Sequence, residues 1–270
     1  MTTIKRFIIL FIVSVLLVAC ATSPTGRRQL MLVSEESAIV SSKEAYLSTV
    51  DELDKAGKIE EKTAVTARVE NITGRLITEA IKMRPDTADW EWSVVVIDDP
   101  EMVNAWCMAG GRMAIYTGLI EQIEPSDDEL AQVMGHEISH ALAKHSAEKM
   151  SMQIATSLGV AVVGIASDNT GVALTGAALA AMLAVNLPNS RSAETEADRI
   201  GIELAAKAGY DPAAAATLWQ KMGATSKSST PQFLSTHPAP ENRQEKLAKL
   251  AVKMAPYYDP DAGHPVYALH

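Results

Sequence analysis

The spacing of hydrophobic positions predicts a mainly helical chain with a short β region before its middle. In two early segments, Ser34 to Leu53 and Glu60 to Met83, apolar residues recur at helical intervals, which is typical of helices that bury one face. The Ser/Thr-rich stretch Thr225 to Thr230 is predicted to be a loop. Later helices are predicted at about Ser192 to Lys207, after Asp211-Pro212, and at about Pro240 to Met254.

The β region lies between the early and the late helices. The segment Trp90 to Ile97 alternates and then runs apolar, which predicts a strand. Asn104 to Met108 and Arg112 to Tyr116 predict two shorter strands, joined through Gly110-Gly111, a dipeptide suited to the positive φ angles of a tight hairpin turn. The pattern therefore predicts an α+β fold, mainly helical, with a small antiparallel sheet.

The clearest helix in the sequence begins after Ser126. Ser126 and Glu129 have the spacing of a capping box. Within this helix His136-Glu137-Ile138-Ser139-His140 matches HExxH, a zinc-binding motif when it lies on a helix. Residues four apart on a helix differ by about 40° in direction, so both imidazoles project from one face and Glu137 lies beside them. The alternative is that two surface histidines match the motif by chance.

A hydrolytic zinc site needs a third protein ligand and an open position for water. A metzincin would continue the motif with glycine at 143 and histidine at 146, where this chain has Ala143 and Ser146, so that class is excluded. His145 would lie about 140° round the helix from His140. We therefore expect His145 to be an ordinary exposed histidine.

A better third donor lies in the helix predicted from about Ser192. Glu194 and Asp198 are four residues apart and share a helix face, so one could bind zinc while the other accepts a hydrogen bond from a ligand imidazole. Glu196 is about 200° from Glu194 and is expected to point elsewhere. Helical geometry alone leaves a second interpretation open, in which these carboxylates form a solvated acidic face.

The N-terminus has the layout of a secretory signal. Lys5 and Arg6 precede an apolar run of 13 residues, Phe7 to Ala19, shorter than the roughly 20 that span a membrane. The run ends in Leu17-Val18-Ala19-Cys20, which resembles the lipobox of bacterial lipoproteins and so implies cleavage before Cys20 and its acylation. The alanine that follows implies, by the same resemblance, the outer membrane. An ordinary signal peptide and a transmembrane anchor are the alternatives.

The chain beyond this signal is acidic. Loss of Lys5 and Arg6 would leave 22 of the 24 basic residues against 33 acidic residues, a net charge of −11, which excludes electrostatic binding of nucleic acid. Cys107 is the only cysteine besides Cys20, so no intramolecular disulfide is expected. The Ser, Thr, Pro and Gly content from Cys20 to about Leu30 predicts a flexible tether.

The segment Met150 to Leu187 is rich in Ala, Gly, Val and Leu, and it is interrupted near its middle by Ser167 to Gly171. Neither half has the length of a convincing transmembrane helix. We expect a helical hairpin that packs on the core or covers the active site. Contact with the membrane is the alternative.

Four motifs occur in one order within roughly residues 60 to 250. They are Asn104-Ala105-Trp106 with Gly110-Gly111, HExxH, S-R-x-x-E-x-E-A-D from Ser190 to Asp198, and Ser235-Thr236-His237-Pro238 with Arg243. Together they resemble zinc peptidases of the HtpX, CAAX-protease and BepA/LoiP type, although Trp106 and Ala109 stand where that family usually has Phe and Pro. The resemblance implies a gluzincin-like peptidase domain, which we place at 34–256. The N-terminal patterns predict a signal peptide at 1–19 and a tether at 20–33, and residues 257–270 are expected to form a C-terminal tail.

The same resemblance implies the metal and its ligands. One zinc ion per chain would be held by His136, His140 and Glu194, with Asp198 supporting a ligand imidazole. Glu137 would accept a proton from the attacking water and pass it to the leaving amine.

Three further roles follow from the matching motifs as hypotheses. His237 or Arg243 could stabilise the oxyanion, and His237 could instead plug the open metal position. An extended peptide could bind along the strand edge at Asn104, Ala105 and Trp106 through main-chain hydrogen bonds.

The expected function is that of a zinc metalloendopeptidase in the bacterial envelope. It would be tethered by the lipid on Cys20, at the outer membrane facing the periplasm, and would cleave misfolded or unassembled envelope proteins. A catalytically idle, chaperone-like lipoprotein is one alternative. An intramembrane protease that uses Met150 to Leu187 as its spans is another. The sequence makes no prediction of the oligomeric state.

Overall fold

A computed structural model of the chain describes residues 20–61, 63–166, 175–176, 178, 187–225, 232–237 and 242–269. The predicted signal peptide at 1–19, most of the predicted loop at 225–230, and Pro238 and Pro240 lie outside the described residues. So does most of the second half of the predicted helical hairpin, including its Ser167 to Gly171 interruption. The described part is mainly helical with two small sheets, which confirms the α+β prediction.

The described chain opens with a β-hairpin. Strands β1 (Cys20–Thr22) and β2 (Arg28–Leu30) pair antiparallel, with Cys20 opposite Leu30. The turn between them is closed by the Ser23 N–H, which donates to the Arg27 carbonyl at 2.8 Å. This ordered hairpin differs from the flexible tether expected there, because composition does not reveal the partners that the turn residues find elsewhere in the fold.

Two long helices follow, each with a side-chain cap at its start. Helix α1 (Glu35–Lys55) begins after Ser34, whose hydroxyl accepts the N–H of Ser37 at 3.1 Å. Helix α2 (Ala64–Met83) begins after Thr63, which forms a capping box with Thr66. Helix α2 starts later than predicted because Ile59–Glu60 pairs as strand β3 with the sheet.

The larger sheet has four strands in the order β3-β4-β6-β5. Its other members are β4 (Ser93–Ile97), β5 (Ala105–Met108) and β6 (Arg112–Tyr116). Strands β5 and β6 form the predicted antiparallel hairpin, and Gly111 takes the expected positive φ of 83°. The sheet as a whole is mixed, because β6 returns beside β4 and pairs with it in parallel. Strand β5 therefore lies at an edge of this sheet.

Helix α4 (Asp127–Leu142) is buried along most of its length, and it packs against α2 and strand β5 among other elements. Its capping box between Ser126 and Glu129 is present as predicted. Helix α6 (Leu187–Lys207) starts earlier than predicted, with Pro188 in its first turn, where proline is tolerated. The other helices are α3 (Thr117–Ile123), α5 (His145–Ala166), α6 (Leu187–Lys207), α7 (Ala214–Thr225), α8 (Gln232–Thr236) and α9 (Arg243–Met254).

Helices α4 and α6 approach each other closely at two glycines. A Cβ atom on Gly135 would lie 2.9 Å from the Gly201 carbonyl oxygen, and one on Gly201 would lie 2.8 Å from the His136 backbone nitrogen. Backbone atoms of packed helices cannot move aside, so any larger residue would separate the helices. This contact sets the distance across which side chains of α4 and α6 meet. Among the described residues, no helix is long and apolar enough to cross a bilayer.

Candidate metal centre

Four side chains from three helical segments converge beside the α4–α6 contact. His136 and His140 extend from α4, Glu194 from α6 and His237 from the residue after α8. The Nε2 atoms of the two α4 histidines are 3.1 Å apart, and the Glu194 carboxylate lies 3.2 Å from Nε2 of His136 and 3.5 Å from Nε2 of His140. The His237 Nδ1 atom is 3.2 Å from Glu194 and 3.3 Å from His136 Nε2.

These distances fit a tetrahedral ion. Four donors at the usual zinc distance of about 2.0 to 2.1 Å from one centre lie about 3.3 Å from one another. One donor atom from each of the four residues falls in a cluster whose members are all within 4.8 Å of one another. Two or three imidazoles with one carboxylate are also the donor set that zinc favours. The donors present therefore suit a zinc ion.

The charges of the site favour a cation at its centre. Burial lowers the pKa of His136, but hydrogen bonds to Asp198 and Glu194 raise it to about 9. Burial likewise raises the pKa of Glu194, yet hydrogen bonds with His136 and His237 hold it well below its usual range. Burial and repulsion from His136 keep the pKa of His140 well below its usual value. One positive charge, carried by a proton or by a metal ion, is thus stabilised among these groups.

His136 is oriented by a carboxylate on α6. Its Nδ1 atom lies 3.1 Å from Oδ1 of Asp198, so an N–H there leaves Nε2 free to face the cluster. Arg243 of α9 holds Asp198 in turn, donating from Nε at 2.8 Å and from Nη2 at 2.6 Å. The guanidinium of Arg243 stacks over Trp219 with its central carbon 3.8 Å from the ring centroid. The helix face shared by Glu194 and Asp198 thus enters a buried site instead of solvent.

Glu137 lies beside the donors without joining them. Its side chain is buried, and Oε1 makes no hydrogen bond to any described residue. The His237 Nε2 atom is 3.5 Å from that oxygen. Burial raises the pKa of Glu137. A buried carboxylate with a raised pKa and an unpartnered oxygen next to a metal site has the properties of a general base.

The predicted substrate edge contacts the motif helix. Strand β5 packs against α4 and carries Ala105, which is buried, and Trp106, which is half-buried and meets Tyr46 edge to face with ring centroids 5.9 Å apart. The Asn104 carbonyl accepts the N–H of Tyr116, whereas its buried side-chain oxygen has no partner among the described residues. The edge strand is thus close to the helix that carries the two histidines.

His145 was expected to be exposed, and this prediction is wrong. Its Nδ1 atom lies 2.8 Å from Nδ1 of His140, and its side chain is 7% exposed. The reason is that α4 ends at Leu142 and Lys144 takes a left-handed conformation with φ of 59°, so His145 opens a new helix that turns back toward the site. The angle calculated for a continuous helix does not apply after such a break.

Glu196 was expected to point away from Glu194, but its contacts with the N-terminal hairpin were not predicted from the sequence. Glu196 is buried and accepts hydrogen bonds from Ser23, Thr25 and Arg27 of the N-terminal hairpin. No local pattern links positions so distant along the chain. The E-x-E spacing itself was the only available signal that α6 carries a buried carboxylate on a second side.

Comparison with known proteins agrees with this geometry. A model of the peptidase family M48 matches residues 63–251. The chain is 37% identical to the mitochondrial metalloendopeptidase OMA1 of Arabidopsis thaliana over 161 residues, which cover 60% of this chain and 32% of that protein. It is 32% identical to the OMA1 metalloendopeptidase of Bos taurus over 237 residues, covering 84% of this chain and 45% of that protein.

A bacterial relative has a similar level of identity. The beta-barrel assembly-enhancing protease of Escherichia coli K12 is 32% identical over 163 residues, covering 57% of this chain and 33% of that protein. The chain therefore spans between about a third and about half of the length of these curated relatives. The family match covers strands β4, β5 and β6, both histidines of the HExxH motif, the two α6 carboxylates at the metal centre and Arg243. The chain thus belongs to peptidase family M48.

Proposed function

We propose that this protein is a zinc-dependent endopeptidase of the bacterial envelope, anchored by a lipid on Cys20, that cleaves misfolded or unassembled envelope proteins. The observation that carries the proposal is the convergence of His136, His140 and Glu194 at 3.1 to 3.5 Å, with Glu137 beside them. Membership of a peptidase family supports the same activity.

The residues have distinct roles in this proposal. A zinc ion in the cluster would supply the Lewis acidity that polarises a scissile carbonyl and makes water nucleophilic at neutral pH. Glu137 accepts the proton of the attacking water on its unpartnered oxygen and delivers it to the leaving amine. Asp198 and Arg243 keep His136 oriented, and the edge of β5 aligns an extended peptide through main-chain hydrogen bonds. Such binding has little side-chain preference, which suits unfolded clients.

His237 fills the fourth position of the donor cluster. Its Nδ1 atom lies as close to Glu194 and His136 as those groups lie to each other, whereas a catalytic zinc site keeps one position open. We therefore assign His237 the role of a reversible plug that must swing away before substrate binds. Replacing His237 by Ala should change activity and zinc affinity, and the plug role would be abandoned if both stayed the same.

The envelope location rests on the N-terminal sequence and on the bacterial relatives. The lipobox-like Leu17-Val18-Ala19-Cys20 implies an acylated cysteine, and two acyl chains hold a protein stably on a bilayer. The related proteases of Escherichia coli and Vibrio cholerae carry names that refer to β-barrel assembly. A Cys20→Ser protein should leave the membrane fraction on cell fractionation. Retention of that variant in the membrane would refute the lipid anchor.

Proteolysis is favoured over an idle, chaperone-like function. A zinc site kept only for stability does not require the buried carboxylate of Glu137, whose Oε1 makes no hydrogen bond to any described residue and therefore costs free energy on folding. The test is metal analysis together with casein degradation by the purified full chain. We expect about one zinc ion per chain, loss of cleavage with a chelator and recovery with added zinc. Cleavage that survives complete metal removal would refute the proposal.

A further inference from the structure

A second buried network lies behind His140, on the side away from the metal donors. Glu196 is its centre and accepts four hydrogen bonds. The hydroxyl groups of Ser23 and Thr25 donate to Oε1. Arg27 Nε donates to Oε2 at 2.6 Å, and His145 Nε2 contacts the same oxygen at 3.1 Å. Three of these four partners belong to the N-terminal hairpin, and the fourth, His145, contacts His140. The Glu196 carboxylate therefore connects the hairpin to the metal site.

The chemistry of this carboxylate sets the protonation pattern of two imidazoles. Ionised Glu196 only accepts hydrogen bonds, so the proton between it and His145 is on Nε2 of His145. In neutral His145, Nδ1 is then an acceptor. The atom 2.8 Å away is Nδ1 of His140, which must donate. His140 is thereby held with its proton on Nδ1, and its Nε2 lone pair faces His136 and Glu194.

The hairpin also fixes the turn that delivers His145. Arg27 makes two parallel hydrogen bonds to Glu148 of α5, from Nη1 at 2.7 Å and from Nη2 at 2.5 Å. Gln29 Nε2 donates to Glu148 at 2.7 Å and to the Ala143 carbonyl at 2.7 Å. Arg27 thus bridges a carboxylate on α6 and one on α5, on either side of His145. Bidentate pairs of this kind combine energy with fixed geometry.

We propose that Glu196 and His145 form a positioning relay that holds His140 as the Nε2-binding tautomer, and that the hairpin clamps this relay through Ser23, Thr25 and Arg27. The inference rests on the proposed metal centre. It adds two positioning residues, Glu196 and His145, and a hairpin that holds them in place. Through this relay, the segment directly after Cys20 becomes part of the support of the metal site. Partners behind a ligand histidine typically change metal affinity by about 10-fold to 100-fold.

The first test compares two replacements of His145 in the full chain, purified in detergent, by competition for zinc with a chelating dye. His145→Phe keeps a ring but removes the acceptor, and it should weaken zinc binding by about 10-fold to 100-fold. His145→Asn keeps an acceptor oxygen near the position of Nδ1 and should retain most of the affinity. Equal dissociation constants for the two variants, or a Phe variant within about threefold of wild type, would overturn the relay.

A second test addresses the hairpin. Arg27→Ala should weaken zinc binding by about 10-fold. Arg28→Ala, a change of the exposed neighbouring residue that begins strand β2, should have no effect. Circular dichroism checks that each variant is folded. If the two variants bind zinc equally well, the hairpin does not support the site. If the wild type binds no zinc at all, the proposed metal centre itself fails, which is a distinct result.

An independent readout of the tautomer needs no activity. Long-range nitrogen–proton spectra of the imidazoles in the zinc-loaded protein should show His140 protonated on Nδ1. The same spectra should show His145 protonated on Nε2. A His140 ring protonated on Nε2 would contradict the relay.

Discussion

The two sides of helix α6 differ in what they contact. On one side, Glu194 and Asp198 enter the metal centre, where they meet His136 at 3.2 and 3.1 Å. On the other side, Glu196 meets the N-terminal hairpin and His145. Helical periodicity predicted that Glu196 points away from Glu194 and Asp198. The motifs indicated only the contacts of Glu194 and Asp198. The difference shows that a helix pattern gives the direction of a side chain, while distant parts of the chain decide what it meets.

The same contrast separates the two histidines of the HExxH motif. His136 is supported directly by Asp198, a residue of the helix that also supplies Glu194. His140 is supported through a second imidazole and a carboxylate that the hairpin holds. One support is internal to the α4–α6 pair, and the other depends on the first described residues of the chain. Variants on each side should therefore affect the metal to different degrees.

The largest effect is expected from Glu194→Ala, which removes a donor from the metal-facing side. Loss of a direct ligand should exceed the loss of a supporting partner, so we expect zinc affinity to fall by more than about 100-fold. Glu203→Ala is the matched control, because Glu203 lies on the same helix in an ion pair with Lys207 at 2.6 Å. Dye competition measures both, and similar affinities for the two variants would remove Glu194 from the site.

A smaller effect is expected from Asp198→Asn, which keeps the shape of the side chain but removes its charge. His136 would lose part of the interaction that orients it, and zinc affinity should fall by about 10-fold to 100-fold. The loss should be at least as large as that of Arg27→Ala, since Asp198 contacts a ligand imidazole directly. The reverse order would mean that the hairpin side is the more important support.

Gly201→Ala tests whether the fold requires the close approach of helices α4 and α6, on which the contacts of both sides of α6 depend. The added methyl group would collide with the His136 backbone, and overpacking of this kind costs about 1 to 3 kcal/mol. Gly223→Ala is the control, because nothing lies within 4 Å of the added atom in helix α7. That change should leave stability equal or raise it by about 0.5 to 1 kcal/mol. Thermal unfolding that ranks the two variants the other way would contradict the packing.

The smallest effect concerns the stability of the hairpin side in metal-free protein. Burial raises the pKa of Glu196, but hydrogen bonds from His145, Ser23, Thr25 and Arg27 hold that pKa well below its usual value of 4.5. A lowered carboxylate pKa stabilises the fold above the unfolded value and loses this contribution as pH falls below about 4.5. Arg27→Ala should therefore cost about 1 to 2 kcal/mol at pH 7, and the difference from wild type should shrink on acidification below pH 4. Denaturant unfolding at several pH values would reveal a constant difference if this is wrong.

Much of the fold could be predicted because its signals are local. The capping box at Ser126, the Gly110-Gly111 hairpin and most of the helices follow from caps, turns and periodicity, which act over a few residues. The sequence did not predict the parallel pairing of β4 with β6 or the hairpin at Cys20–Leu30. Both depend on contacts between segments that are distant in sequence, and no short pattern encodes them.

The candidate site shows the same limit at the level of single residues. His136 and His140 share one face of α4, and the resemblance to a peptidase family implied Glu194 as the third ligand. The structure brings the three side chains together. His145 was misplaced because one left-handed residue, Lys144, ends the helix and redirects the chain. The close contact at Gly135 and Gly201 was also missed, since glycine in a helix is not by itself a sign of packing.

The central claim is that the cluster is a working zinc peptidase site with Glu137 as its base. It is tested most directly by comparing casein degradation and zinc content of the wild type and Glu137→Gln. We predict that the variant keeps its zinc, because Glu137 is not a ligand, and loses cleavage by about 100-fold or more. A variant that still degrades casein at the wild-type rate, or a wild type that neither binds zinc nor cleaves casein, would contradict the account.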